Sequence, residues 1–401
     1  MKSIELFSGA GGLAMGISNA GFRHQAMVEW DHHSCENIRQ NQQLGIVPVV
    51  HWPLHEMDVR QFDFSDQKGP IDLLAGGPPC QPFSIGGKHR GSADERNMFP
   101  EVFRAVRELA PKAILVENVK GLLRETFAKF FEYIILQLSY PELVQRAGED
   151  WSEHLSRLER FHTKGKERGL TYRVVYRLVN AADYGVPQKR ERVIIVGFRS
   201  DLGLEWSFPA ATHSQDELLR SQWVTGEYWE RHQISRRHRP PMPERHESRA
   251  IRLACASLFP LSPWQTVRDA IADLPDPLKC KGHKVANHWV NPGARSYVGH
   301  TGSPLDEPAK TLKAGDHGVP GGENTLAFAN GSVRYFTVRE AARLQTFPDE
   351  FVFHGVWTES MRQLGNAVPV RLGETMAKDI KKHLTRKESS GVARGTLQSA
   401  R

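Results

Sequence analysis

The stretch Gly76-Gly77-Pro78-Pro79-Cys80-Gln81-Pro82-Phe83-Ser84 decides how the rest of the chain is read. It follows Ile71-Asp72-Leu73-Leu74-Ala75, an apolar run that predicts a buried strand stopped by glycine and proline. Two glycines and two prolines ahead of a lone cysteine fix the backbone around its sulfur. A cysteine that only fills the core needs no such frame. One placed at the carboxyl end of a parallel strand, where open α/β sheets hold their ligands, points to chemistry.

Upstream, Ile4-Glu5-Leu6-Phe7 predicts a strand that runs into the turn Ser8-Gly9-Ala10-Gly11-Gly12-Leu13 and a helix to about Ala20. Strand, glycine-rich turn and helix let a backbone approach a nucleotide-like ligand and offer it helix N-terminal amides. Glu29, in Val28-Glu29-Trp30-Asp31, ends a second expected strand about twenty residues on, where an acid can bond a ribose diol. Downstream of Cys80, residues 85–97 carry glycines and charges without periodicity, the pattern of a mobile loop, and such loops beside nucleophiles often close over substrates. Residues 100–111 read as an amphipathic helix, and Ala113-Ile114-Leu115-Val116 as a buried strand ending in Glu117-Asn118-Val119. Positions 141–170 hold 12 Asp, Glu, Lys or Arg and predict an exposed helical insertion. A strand over 172–179 leads to Gln188-Lys189-Arg190-Glu191-Arg192 and another strand over 193–198; Arg190 and Arg192 share a face if extended.

Beyond Ser200 the βα alternation stops. Residues 231–252 contain seven Arg against Glu244 and Glu247, which suits a phosphate backbone. Residues 310–324 form a glycine-rich segment carrying Lys310, Thr311, Leu312, Lys313, Asp316, His317 and Asn324. Order returns at residue 336, where Thr337 and Glu340 have capping-box spacing, and a last helix is expected to about Leu384.

These motifs together resemble the DNA cytosine-5 methyltransferases over roughly 3–199 and 334–384. The Pro79-Cys80 dipeptide matches the family's nucleophile, Glu117 in Glu-Asn-Val its catalytic acid, and Gln-x-Arg-x-Arg the arginines, Arg190 and Arg192, that approach a flipped base. Phe7, Gly9, Gly11, Gly12 and Leu13 match its S-adenosylmethionine turn. The resemblance implies that Phe7 stacks on adenine, Glu29 takes the ribose hydroxyls and Asp58, beside Val59, reads the adenine amino group, with Trp30, Pro79 and Asn366 completing the pocket; Trp30 reads equally well as a core aromatic. The implied fold is α/β, an S-adenosylmethionine-dependent methyltransferase (Rossmann-like) sheet with a second, smaller target-recognition domain and a DNA cleft between them. The expected division is a catalytic domain over 1–199 closed by 336–384, recognition over 200–335, and a disordered tail over 385–401. Ser84, Lys88 and Arg96 beside the nucleophile, Arg236, Arg237 and Arg239 on phosphates, and Thr311, Leu312, Lys313 and Asp316 on bases are the expected contacts to double-stranded DNA.

Composition bounds the rest. A chain of 401 residues, 39% hydrophobic and 25% charged, suits two globular domains, and a net charge of +7 permits a polyanionic partner. Cys35, Cys80, Cys255 and Cys280 show no zinc or disulfide spacing, so no metal is expected. No apolar run reaches membrane length and no signal-peptide pattern opens the chain; a cytoplasmic, nucleoid-associated monomer without a membrane is expected. The alternatives are a transfer-RNA cytosine methyltransferase of the same fold, disfavoured by the large basic segment over 200–335, and a non-catalytic regulator, disfavoured by the presence of Cys80 and Glu117. The turn's spacing argues against a nicotinamide oxidoreductase.

Overall fold

The structure, a computed structural model, describes residues 1–67, 69–79, 97–165, 169–255, 261–279, 285–298, 301–314 and 322–398. Cys80, Ser84, Lys88, Arg96, Asp316 and residues 85–96 of the expected loop over 85–97 lie outside the described residues.

Strands β1 (Lys2–Leu6), β2 (Arg23–Glu29), β3 (Leu54–Glu56), β4 (Leu73–Gly76), β5 (Ala113–Val119), β6 (Tyr172–Asn180) and β7 (Glu191–Arg199) form one seven-stranded sheet in the order β3-β2-β1-β4-β5-β7-β6. The first five pair in parallel, and β7 runs antiparallel to β5. Helices α1 (Gly12–Asn19), α2 (His32–Gln43), α3 (Phe99–Leu109), α4 (Ala128–Ser139) and α5 (Trp151–Thr163) connect or cover these strands. Their apolar faces close a core that includes Ile4, Leu6, Val28, Leu74, Val106, Ile114 and Ile195. Because β1 has β2 on one side and β4 on the other, the strand order reverses between β1 and β4. A crevice at that reversal is where open sheets take ligands, and the glycine-rich turn and the Gly76-Gly77 stretch both start there.

The charged insertion is not wholly exposed. Helical spacing gathers His154, Leu155 and Leu158 on one buried face of α5, and both leucines join the core. Burying each leucine is worth roughly 1.5–3 kcal/mol. His154 bridges the Tyr133 hydroxyl at 3.1 Å and the Leu143 carbonyl at 2.6 Å, while Arg157 pairs with Glu149 at 2.7 Å. The charges therefore line the outer face of a helix whose inner face is core.

The remaining elements are β8 (His213–Ser214), α6 (Gln215–Leu219), α7 (Glu227–Arg231), α8 (Glu244–Ala254), β9 (Ser262–Pro263), α9 (Val267–Ile271), β10 (Ser303–Pro304), β11 (Thr325–Ala327), β12 (Val333–Tyr335), α10 (Val338–Leu344), α11 (Trp357–Asn366) and α12 (Val370–Gln398). Chain contacts gather 1–179, 191–209 and 373–401 into one compact unit, and 180–190 with 210–372 into another. The second unit thus takes residues 336–372, which the sequence groups with the catalytic domain. It has its own core, in which Tyr228, Trp229 and Trp264 pack with Leu218 and Ala182. The helix expected to stop near Leu384 continues to Gln398, since no proline or αL glycine ends it there and Lys, Arg and Glu tolerate a helix. The capping box at Thr337 and Glu340 forms as expected.

Candidate functional site

The turn after β1 is shaped by glycine where glycine is needed. Gly9 and Gly11 have φ of 53° and 85°. A Cβ on Gly11 would stand 2.5 Å from the Trp52 ring, whereas one on Gly9 would meet nothing within 4 Å. Gly11 is therefore fixed by packing, and Gly9 faces open space. The buried Glu29 carboxylate accepts from the backbone amides of Gly9 at 2.7 Å, Trp30 at 2.9 Å and Asp31 at 2.8 Å. Burial pushes its pKa up, and these amides pull it back. Phe7, at φ 59°, packs against the core, and Leu13 and Val59 are buried. Trp30 is 69% exposed beside that carboxylate, so its core reading is overturned. Asp58 holds Arg60 through Nε at 2.9 Å, and its carboxyl sits below the usual range because of that hydrogen bond.

Beneath the turn, Glu5 is wholly buried with its pKa held well above the carboxylate range, first by desolvation; the Ala14 amide and the Glu29 charge act in opposite directions. The folded state thus retains a proton that the unfolded chain releases above about pH 4.3, so this group's contribution to stability is present in acid and lost as pH rises. Glu5→Gln is expected to raise the melting temperature at pH 7–8 while changing it little at pH 4, as read by calorimetry across pH.

At the carboxyl ends of β4 and β5 a second group assembles. Glu117 and Arg192 are both buried and pair Oε1 to Nε at 2.7 Å, across adjacent strands in which Val119 faces Arg192. Gly77 admits the carboxylate: a Cβ there would lie 3.2 Å from Glu117 Oε2. The buried Asn118 side chain donates to the Pro78 carbonyl at 3.2 Å and ties the segment entering Pro79-Cys80 to β5. In the sequence Asn118 stands only as part of a motif; its positioning role emerges from the strand pairing. Pro79 is exposed as the last described residue before Cys80. His32, Glu36 and Glu56 also come within 4.8 Å of one another at the surface, but Arg39 already bonds Glu36 at 2.7 Å and Glu56 at 2.5 Å.

Comparison with known proteins fits this geometry. The model of the C-5 cytosine-specific DNA methylases matches residues 1–140 and 152–382. The chain belongs to that family. It is 32% identical over 383 residues to the type II methyltransferase M.Eco47II of Escherichia coli, covering 94% of this chain and 78% of that protein. The type II methyltransferase M.NgoMIV of Neisseria gonorrhoeae is 31% identical over 393 residues, covering 95% and 97%. The solved S. pombe Dnmt2 methyltransferase shares the fold with a TM-score of 0.55 at 17% identity, covering 96% of this chain and 99% of that one. As a C-5 cytosine methylase the chain is a DNA cytosine methyltransferase, which favours DNA over the transfer-RNA alternative. Among the described residues no helix is long and apolar enough to cross a membrane.

In the methylase's second unit several expected contacts have structural duties. Arg190 is fully buried, its guanidinium donating to the carbonyls of Leu312 at 3.1 Å, Gly365 at 2.6 Å and Ala367 at 2.9 Å. That corrects its expected place beside Arg192, since its two terminal nitrogens are taken up by backbone carbonyls. Thr311 donates its hydroxyl to the Lys189 carbonyl, and Leu312 is buried with its amide on Gln188. Asn324 clamps both the amide and the carbonyl of Lys313 at 3.0 Å. Thr311, Leu312 and Asn324 therefore build a stem, their polar groups held by the chain itself. Lys313 keeps an exposed ammonium paired with Glu323 at 3.0 Å. Three of the arginines over 231–252 have acidic partners after all: Arg231 on Asp269, Arg245 on Glu307 and Arg249 on Asp216. Arg236 and Arg237 are exposed, and Arg239 bonds the Ile234 carbonyl. Asn366 ends α11 and is exposed.

Gly365 lets the stem pass. A Cβ there would fall inside the van der Waals radii of the Lys313 and Ala314 backbone. Gly365→Ala is expected to destabilise by roughly 1–3 kcal/mol, the usual cost of overpacking, visible as an earlier denaturation midpoint.

Proposed function

We propose that this methylase transfers a methyl group from S-adenosylmethionine to C5 of a flipped cytosine in a specific duplex sequence, with Cys80 as nucleophile. The observation that carries the reading is the buried Glu117–Arg192 pair, lying against Gly77 three residues before Cys80. Cytosine C5 attacks poorly until a thiolate adds to C6 and turns the ring into an enamine. Glu117 supplies or holds the proton at N3 as that adduct forms, and Arg192 offsets charge growing at O2. Once C5 has bonded the methyl and the donor has departed as its neutral thioether, loss of the C5 proton to a base lets the electron pair expel the Cys80 thiolate. A cytosine stacked in a duplex cannot reach these groups, so the base is extruded.

The residues around Gly9 fit the methyl donor. Open space over Gly9, an exposed indole at Trp30 and the buried Glu29 carboxylate offer a backbone approach, a ring face and an acceptor within one unit. S-adenosylmethionine supplies an electrophilic methyl when bound. Phe7 and Trp30 would flank its adenine, Glu29 its ribose and Asp58 its amino group. Residues 200–335 would carry target recognition, with Lys313 and Asp316 reading bases and Arg236, Arg237 and Arg239 on phosphates. The relatives' type II names support a place in a restriction–modification pair.

The test is tritiated methyl transfer from S-adenosylmethionine, with unmethylated plasmid DNA and transfer RNA offered side by side. Label in plasmid cytosine is expected; label confined to transfer RNA would overturn the reading.

A further inference from the structure

From Pro277 to Leu305 the sequence contains no Asp or Glu, while it carries Lys279, Lys281, Lys284 and Arg295. Within this acid-free stretch the backbone at Ala286-Asn287-His288 is held by a dense set of hydrogen bonds. Asn287 adopts φ 63°, unusual for a residue with a side chain. Its side-chain amide donates to the Phe353 carbonyl at 2.6 Å, and its Oδ1 accepts the Phe353 amide at 2.7 Å. Arg339, itself fully buried, donates its backbone amide to the Asn287 carbonyl at 2.9 Å and its Nε to the Ala286 carbonyl at 3.1 Å. The His288 ring donates Nε2–H to the Pro275 carbonyl at 2.8 Å and faces the Thr337 hydroxyl through Nδ1 at 2.9 Å. Asn287 and His288 are both buried.

The next side chain is then turned outward. Trp289 is 50% exposed and has no hydrogen-bond or ring partner among the described residues. Tyr297 is 43% exposed, Arg295 is exposed and Val298 is fully so. The indole beside this heavily bonded anchor is left half exposed. It is pre-organised to bury that ring against something else, and rigid aromatic anchors lose little entropy when they do. The absence of acids over the stretch selects a polyanion, and the methylase's own substrate is one.

We propose that Trp289 is a duplex-contacting anchor, packing its ring on the sugar and base edges of bound DNA while Arg295 meets a phosphate. This assigns a second contact surface in residues 285–298, apart from the arginines over 231–252. It rests on the reading of duplex DNA as substrate. Aromatic contacts to nucleic acid typically lose about tenfold to a hundredfold in affinity on truncation to alanine.

The experiment compares wild type, Trp289→Ala, Trp289→Phe and Arg295→Gln for binding to a fluorescent mixed-sequence duplex across salt. Melting temperature and S-adenosylmethionine affinity are measured on the same samples. Trp289→Ala is expected to weaken duplex binding about tenfold or more and to raise KM for plasmid DNA with kcat nearly unchanged. Trp289→Phe retains most of the affinity, and Arg295→Gln lowers the salt slope by about one. The proposal is overturned if Trp289→Ala binds the duplex as wild type does. It is equally overturned if melting temperature or S-adenosylmethionine affinity falls in parallel with duplex affinity, since the ring would then be structural. If wild type itself neither binds nor methylates duplex DNA, the proposed function fails instead.

Discussion

Replacing Cys80 by serine is expected to abolish methyl transfer while leaving S-adenosylmethionine binding nearly intact. The addition step needs an ionised sulfur, and a serine hydroxyl is ionised to no useful extent near neutral pH. The turn at Gly9 and the Glu29 carboxylate follow β1 and β2, and Pro78 is tied independently to Asn118, so the substitution leaves both untouched. A duplex carrying 5-fluorocytosine separates chemistry from binding. Fluorine cannot leave C5 as a proton does, so wild type is expected to stop as a covalent complex that survives denaturing electrophoresis. The serine variant should bind the same duplex and yield no such band. A covalent band from the serine variant would assign the nucleophile to another residue.

The parts of this site that are local in sequence are legible in it. Strand, turn and acid around Gly9 and Glu29 follow from spacing alone, and β1, β4, β5 and β7 lie within a few residues of their expected positions. What spacing does not carry is the partner of a polar side chain. Arg190 and Arg192 sit two residues apart in one motif, yet Arg192 pairs with Glu117, and Arg190 binds three carbonyls more than a hundred residues away. Thr311-Leu312 suggests base contacts in the sequence, but the Lys189 carbonyl and the Gln188 side chain fix it as a stem. Charge is similarly ambiguous: the run over 231–252 looks unpaired because Asp216, Asp269 and Glu307 lie outside it. The insertion over 141–170 looks exposed because its charges outnumber its two core leucines, and helical spacing settles which side each takes.

Glu117→Gln is expected to slow methyl transfer by on the order of 10²–10⁴, the usual worth of one acid–base group. Glutamine is the informative substitute because it keeps the shape against Gly77 and an acceptor for Arg192 Nε while removing the exchangeable proton. Alanine would confound the result further, since it empties the space against Gly77 as well as stranding the Arg192 charge, which alone costs about 3–5 kcal/mol. The pair also has a structural duty, so rate alone does not assign the role. A double-mutant cycle does. Arg192→Gln strands the Glu117 carboxylate and should lower the melting temperature markedly. Adding Glu117→Gln removes that stranded charge, so the double variant should regain much of the lost stability. If Glu117 moves a proton, the double variant stays as slow as the slower single variant despite the recovered stability. If Glu117 only braces β5 against β7, Glu117→Gln alone should run within a few-fold of the wild-type rate, and the double variant should be no slower than Arg192→Gln.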